Sequence, residues 1–173
     1  VVGNPPFKLA VKFFNHSAKF AQTIAMIFPR TFQKNSVKNR LDRHFHLTYE
    51  EVLPLDAFLF EGKTYNVPTV WQVWEQRDEL REIIPRTIHS DTIEFVKRDE
   101  QPDIAIRRVG VNAGRIFTTD VATRSVQSHH FVKFKTTDAL ERLNACNLEQ
   151  CDEKFQTAGI PSLGKNDILE IIS

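Results

Sequence analysis

The chain has 173 residues and a formal net charge of +1, with 41% hydrophobic and 26% charged residues. This length allows one domain with a hydrophobic core, or one domain with a small appendage. No apolar run reaches the roughly 18 residues that a membrane span requires, and no signal peptide is recognisable. The two cysteines, Cys146 and Cys151, suggest neither a disulfide framework nor a zinc site. These features predict a soluble cytoplasmic protein without a bound metal or a membrane partner.

The first seven residues combine the end of a buried strand with a proline-stiffened turn. Residues 1–3 are typical of a strand end, and Asn4-Pro5-Pro6-Phe7 follows directly. Each proline has a fixed φ and no N–H, and the residue before it is driven towards an extended conformation. The Asn4 side-chain oxygen, the Pro5 carbonyl and the Phe7 ring should therefore project together from the strand end. Two acceptors beside an aromatic face suit a flat ring that carries an exocyclic amine.

The motif Asn4-Pro5-Pro6-Phe7 resembles the catalytic motif of class I S-adenosylmethionine-dependent amino-methyltransferases, especially those that methylate the N6 of adenine. The resemblance implies that these four residues are catalytic, with Asn4 and the Pro5 carbonyl accepting hydrogen bonds from the target amine and Phe7 stacking on an extruded base. It implies S-adenosylmethionine as the cofactor and DNA, or RNA, as the partner. The alternatives are an RNA base methyltransferase, a protein glutamine methyltransferase and a non-catalytic binding fragment.

The next two segments predict a βαβ unit. Residues 8–22 carry apolar side chains at helical spacing, which predicts a helix packed on the sheet. Its broad apolar stripe comprises Leu9, Phe13 and Phe20, with Ala10, Phe14, Ala18 and Ala21 beside them. Residues 23–28 are a continuous apolar run, which predicts a strand buried on both faces. A strand, a crossover helix and a second buried strand form a right-handed unit in nearly all cases.

The carboxyl ends of parallel strands meet at one edge of a sheet. We therefore expect the residues that follow the second strand to lie beside the proline motif. The predicted substrate contacts at this edge are Phe7, Arg30, Thr31, Phe32 and Lys34. Residues 31–45 also carry an apolar seam at helical spacing together with basic side chains, which predicts a basic helix near the edge.

Three further strands are predicted at residues 46–54, 57–60 and 65–74, with a turn at residues 61–64. This hairpin resembles the antiparallel final pair of strands in class I methyltransferases. The sequence contains no glycine-rich strand-to-helix turn of the G-x-G kind. The chain is therefore expected to be the carboxyl-side part of the enzyme, with the cofactor-binding part in a missing segment, and a homo-oligomer is another possible arrangement.

The composition changes near residues 77–90, and a basic β region follows. Residues 103–110, 115–118 and 130–135 predict strands. The loop at residues 110–114 could present backbone N–H groups to a phosphate, or it could be a hairpin turn that needs its glycines. The candidate nucleic-acid-binding residues are Lys38, Arg107, Arg108, Asn112 and Arg115.

The tail predicts three helices, near residues 138–146, 148–157 and 166–172. The predicted fold class is thus α/β: the carboxyl-side half of a Rossmann-like methyltransferase sheet, a small basic β appendage and a helical tail. The corresponding segments are a catalytic half at 1–78, a β-rich target-recognition segment at 79–136, and the tail at 137–173.

Overall fold

A computed structural model describes residues 1–87, 89–157 and 159–173. Both of its compact units combine helices and strands, so the mixed α/β part of the predicted fold is confirmed. No helix in the described ranges is long and apolar enough to cross a membrane. The two units comprise Val1–Pro85 with Gln156–Gly159, and Arg86–Phe155 with Ile160–Ser173. These units are defined by spatial contacts alone. The functional segments expected at residues 1–78, 79–136 and 137–173 therefore stay a prediction.

A four-stranded sheet forms the centre of the first unit. The elements of this unit are β1 (Val2–Gly3), α1 (Ala10–Ser17), β2 (Thr23–Pro29), α2 (Asn35–Lys38), β3 (Phe45–Val52), β4 (Phe58–Phe60), β5 (Lys63–Tyr65) and β6 (Thr69–Gln76). The strand order is β1-β2-β6-β3, with β1 parallel to β2 and β6 antiparallel to both of its neighbours. Strands β1, β2 and β3 therefore run in one direction and β6 in the other. Strands β4 and β5 pair separately as a hairpin.

Helix α1 packs on this sheet through only part of the predicted apolar stripe. Ala10 and Phe14 are fully buried, and the Phe14 ring lies edge-on to the Trp74 ring at a centroid distance of 5.4 Å. Leu9, Phe13 and Phe20, which the sequence placed in the core, are 42%, 43% and 67% exposed. The helix has two adjacent apolar stripes, and the one rich in alanine packs closely because its small side chains let the backbone approach the sheet.

The predicted basic helix over residues 31–45 is wrong. The chain forms a 3₁₀ turn at Arg30–Gln33 and the single turn of α2, and Phe45 already begins β3. The guanidinium of Arg81 explains why the helix stops, because it donates hydrogen bonds to backbone carbonyls there. Its acceptors are the carbonyls of Lys38 (2.7 Å), Phe45 (3.2 Å) and Leu41 (3.4 Å).

The second unit contains a fully antiparallel sheet with helices on one face. Its elements are β7 (Ile93–Val96), β8 (Ile104–Arg107), β9 (Ile116–Phe117), β10 (His129–Phe134), α3 (Ala139–Ala145) and α4 (Lys165–Ile172), with the strands in the order β7-β10-β8-β9. Leu143 of α3 and Ile168 of α4 are fully buried in one core with Ile106 and Val132 of the sheet. The tail helix predicted at residues 148–157 is only a short 3₁₀ turn, Asp152–Phe155.

Gly114 fixes how the β8–β9 hairpin meets the rest of this unit. Its φ of +96° is one that side-chain-bearing residues rarely adopt, and a Cβ there would overlap the backbone carbonyl of Leu148. Its N–H donates to the Arg107 carbonyl at 2.8 Å. A glycine is therefore required at this position by both conformation and space.

Candidate functional site

The proline motif leaves its polar groups free. Asn4 is exposed, and its side chain makes no hydrogen bond within the described part of the chain. Pro5 is buried, which anchors the turn, whereas no described N–H donates to its carbonyl. The following 3₁₀ turn uses the next carbonyl instead, since the Leu9 N–H donates to Pro6 at 2.8 Å. The half-buried Phe7 follows in the same turn, so the motif carries two unsatisfied acceptors and an aromatic ring within four residues.

The residues after β2 lie near the same edge of the sheet but are drawn into internal contacts. Arg30 donates from its backbone N–H to the Pro68 carbonyl at 3.2 Å and from Nε to Gln33 Oε1 at 3.0 Å. Phe32 is only 2% exposed, and its ring stacks on Phe28 at a centroid distance of 4.1 Å. The Phe32 ring therefore packs in the core, and its role as a substrate contact stays a prediction. The other two candidates, Thr31 and Lys34, are half-buried.

Strand pairing sets the offset between the two segments. Gly3 of β1 pairs with Met26 of β2, and β2 continues for three more residues to Pro29. Three residues of strand span about 10 Å. Measured along the strands, Asn4 therefore leaves the sheet about 10 Å before Arg30 does. The two segments follow neighbouring strands, but the strands end at different positions along the sheet.

Glu50 forms hydrogen bonds and an ion pair with polar side chains near this edge of the sheet. It accepts hydrogen bonds from Gln33 at 3.1 Å and from the buried Gln72 at 2.6 Å, and Lys38 Nζ lies 3.6 Å from its carboxylate. Gln72 in turn accepts a hydrogen bond from Trp74 Nε1 at 3.0 Å. The charge of Lys38, a candidate nucleic-acid contact, is therefore balanced inside the fold.

The β8–β9 loop is stabilised as a hairpin turn. The N–H groups of Gly110, Ala113 and Gly114 donate to the carbonyls of Pro161, Gly110 and Arg107 at 2.8–2.9 Å. These three groups are therefore not available to a phosphate, which favours the turn interpretation of the glycines. The predicted contacts Arg108 and Asn112 are both exposed beside this turn.

Two arginines lie against the ring of Phe117 in the second unit, and a third, Arg107, lies on the neighbouring strand β8. The Cζ atoms of Arg124 and Arg115 lie 3.5 and 5.6 Å from the ring centroid. Arg107 approaches from β8, held by bonds from Nε to the Val109 carbonyl at 3.0 Å and from Nη1 to Ser128 Oγ at 3.4 Å. We call Arg107, Arg115, Arg124, Phe117 and His129 the Phe117 cluster.

The pKa of His129 is affected by the positive charges of the Phe117 cluster. Its ring meets Phe117 edge-on at 5.5 Å, and Nδ1 lies 3.1 Å from the Ser125 carbonyl. Burial lowers the pKa of His129 and the positive charges of Arg107 and Arg124 lower it further, while the bond to Ser125 opposes them. Arg107 and Arg115 are among the nucleic-acid contacts predicted from sequence, whereas Arg124 is not; it lies beyond a left-handed turn at Asp120 with φ +54°.

No group of three or more His, Cys, Asp or Glu side chains lies close enough to hold a metal ion in the ranges that the structure describes. Comparison of the chain with protein-family models, curated proteins and solved structures gave no match.

Proposed function

We propose that this chain is the target-base half of an S-adenosylmethionine-dependent methyltransferase that acts on the N6 amine of adenine in DNA. Asn4 Oδ1 and the Pro5 carbonyl accept the two N–H groups of the exocyclic amine, and Phe7 lies against the base. With both hydrogens held, the nitrogen lone pair points out of the ring plane. Fixing one reactive geometry in this way can contribute roughly 7–11 kcal/mol to lowering the barrier.

The single observation that carries the proposal is the free state of the Asn4 amide. A side chain that only stabilised the turn would be bonded to neighbouring backbone, as Asn15 is to Arg40 and Asp42. Asn4 instead stays exposed between a strand end and a proline, next to an unoccupied carbonyl. This arrangement supports a role in binding a donor from outside the chain.

The strand order of the first unit supports a Rossmann-like methyltransferase sheet. Three strands run in one direction, and β6 is inserted antiparallel between β2 and β3. Such a reversed strand resembles the antiparallel final pair of the class I enzymes. Within that fold, the turn after β1 lies at the carboxyl edge, where ligands of open α/β sheets bind.

The described residues do not fit the cofactor itself. Gly62 lies in the turn between β4 and β5, and Gly110 and Gly114 lie in the β8–β9 turn, so none of them opens a helix after a strand. S-adenosylmethionine supplies the methyl group when bound. The proposal requires that its binding site be formed by residues outside these 173. Apolar surface on the edge strand, where Val2 is 77% exposed, and on α1 supports packing against such a segment.

The test is a methylation assay with labelled S-adenosylmethionine on protein that includes any residues encoded before Val1. DNA, RNA and protein pools serve as substrates, and mass spectrometry identifies the product. We expect N6-methyladenine in DNA, and a rate at least about 100-fold lower for Asn4→Ala because the amine loses one positioning contact. Asn66→Ala, at an exposed asparagine of the same unit, is the matched control and should keep the wild-type rate.

Two outcomes would contradict the proposal. Retained methylation in Asn4→Ala would remove the role of the amide. A methylated RNA base or glutamine as the only product would show that the same acceptors hold a different planar amine, and DNA adenine would be wrong as the substrate.

A further inference from the structure

We propose that the Phe117 cluster binds the phosphodiester backbone of a nucleic acid. The partner class rests on the proposed function, whereas the site is built entirely within the second unit. It comprises Arg115 and Arg124 against the Phe117 ring, His129 edge-on to that ring, and Arg107, which pairs with His129 across the sheet.

Strand register gathers the cluster on one face of the sheet. Arg107 of β8 pairs with His129 of β10, and the Arg107 N–H donates to the Arg115 carbonyl at 2.9 Å. Side chains alternate between the two faces of a strand. Because Ile106 packs in the core with α3 and α4, the neighbouring Arg107 lies on the face opposite the helices. The cluster therefore occupies the sheet face that these helices leave uncovered.

The Phe117 ring orients the guanidinium of Arg124. At 3.5 Å from the centroid, the group is in direct contact with the ring, a geometry favoured by cation–π attraction. Arg124 Nη2 also donates to the Thr119 carbonyl at 3.5 Å. A planar guanidinium held in one orientation can direct its remaining exposed N–H donors at phosphate oxygens. Arg107 is similarly fixed by its bonds to Val109 and Ser128.

The cluster lacks the negative charge that would balance it. None of its three arginines forms an ion pair with a carboxylate of the described residues, in contrast to Lys38 with Glu50. Arg124 Nε and His129 Nε2 are also buried without a hydrogen-bond partner in the same part of the chain. Buried polar atoms without partners are uncommon because each costs free energy. A bound phosphate would supply the missing negative charge.

The test is fluorescence anisotropy with a labelled 20-base-pair duplex DNA of mixed sequence and with an RNA duplex of the same sequence, titrated across NaCl concentrations without cofactor. We expect Arg107→Gln, Arg115→Gln and Arg124→Gln each to raise Kd about tenfold. Each should also reduce the slope of log affinity against log salt by about 0.9 on duplex DNA. Arg124→Lys keeps the charge but loses the fork, so it should retain the slope and lose part of the affinity.

The matched control is Arg98→Gln, at an exposed arginine in the turn after β7, which should change neither quantity. Circular dichroism establishes that each variant is folded. Binding of DNA alone, RNA alone or both supports the site and distinguishes the source of the phosphodiester.

Four outcomes would overturn the inference. The first is absence of binding by the wild type, and the second is an unchanged Kd and salt slope when Arg107→Gln, Arg115→Gln and Arg124→Gln are combined in one variant. The third is an equal loss of affinity in Arg98→Gln, and the fourth is equal affinity for poly-glutamate of matched charge. The assay does not depend on methyl transfer. Cluster-dependent binding without a methylated product would keep this site and refute the proposed function, and methylation without cluster dependence would do the reverse.

Discussion

Basic side chains serve different purposes in the two units. In the first unit Arg81 donates to three backbone carbonyls and Lys38 lies against Glu50, so their hydrogen bonds and charge are used in folding. In the second unit Arg115 and Arg124 lie against Phe117, and neither pairs with a described carboxylate. The density of lysine and arginine in a stretch is thus a poor guide to a nucleic-acid surface. What matters is whether the fold already supplies acceptors and counter-charge.

The chain carries separate natural probes for its two units. Both tryptophans of the sequence, Trp71 and Trp74, belong to the first unit, and both cysteines, Cys146 and Cys151, belong to the second. Tryptophan fluorescence therefore follows unfolding of the first unit. Pulse labelling of the half-buried thiols, with the labelling step at one fixed pH, follows the second.

The largest expected effect is that of Gly114→Ala. The new Cβ would overlap the Leu148 carbonyl at a φ that alanine rarely adopts, so we expect the free energy of unfolding to fall by about 3 kcal/mol or more. Urea unfolding followed by thiol labelling measures it.

The matched control for that substitution is Gly62→Ala in the β4–β5 turn. Gly62 has a positive φ of +74° but open space around it, so only conformational strain of about 1 kcal/mol is expected. Equal losses in the two variants would show that the contact with Leu148 is unimportant.

Arg81→Gln is the direct test of the contrast between the units. It leaves the carbonyls of Lys38, Leu41 and Phe45 without their donor, so the first unit should lose about 2–3 kcal/mol, seen in tryptophan fluorescence. Arg124→Gln loses a cation–π contact but also relieves repulsion, and should change stability by less than about 1 kcal/mol in thiol labelling. A larger loss in Arg124→Gln than in Arg81→Gln would reverse the comparison.

The same contrast shows which structural features can be predicted from sequence. The continuous apolar run of β2 and the alternation in β10 both identified strands, because burial on one or two faces leaves a direct pattern. The helix predicted over residues 31–45 failed because Arg81, far along the chain, supplies donors that let the backbone leave a helical path. Local periodicity contains no information about such a distant partner.

In the candidate sites too, features set by the local sequence can be predicted, whereas features set by distant residues cannot. The stiffness of Asn4-Pro5-Pro6-Phe7 is local, so the sequence predicts an exposed amide there, and the structure has one. The position of Phe32 depends on which neighbouring ring it stacks on, and the packing of Arg124 on Phe117 depends on a left-handed turn between them. Both are products of tertiary structure.

The smallest expected effect is a pH dependence confined to the second unit. Burial lowers the pKa of His130, and Arg108 and Lys165 lower it further, while its bond to the Leu163 carbonyl at 2.9 Å and the charge of Asp167 oppose them. Below about pH 6.5 the unfolded chain therefore binds the proton more readily than the folded one. The contribution of His130 to stability should be complete above that pH and should be lost as the pH falls towards the lowered folded-state pKa.

His130→Gln isolates this effect, because the amide keeps an N–H donor for Leu163 and removes the titrating group. The urea midpoint from thiol labelling should fall between pH 7 and 5 in the wild type and fall less in the variant. His129 has a pKa lowered in the same direction, so the double variant with His129→Gln should be flatter still. The tryptophan midpoint should be the same in all three proteins at each pH, since both histidines belong to the other unit. A wild-type slope that persists in the double variant would assign the pH dependence to other groups.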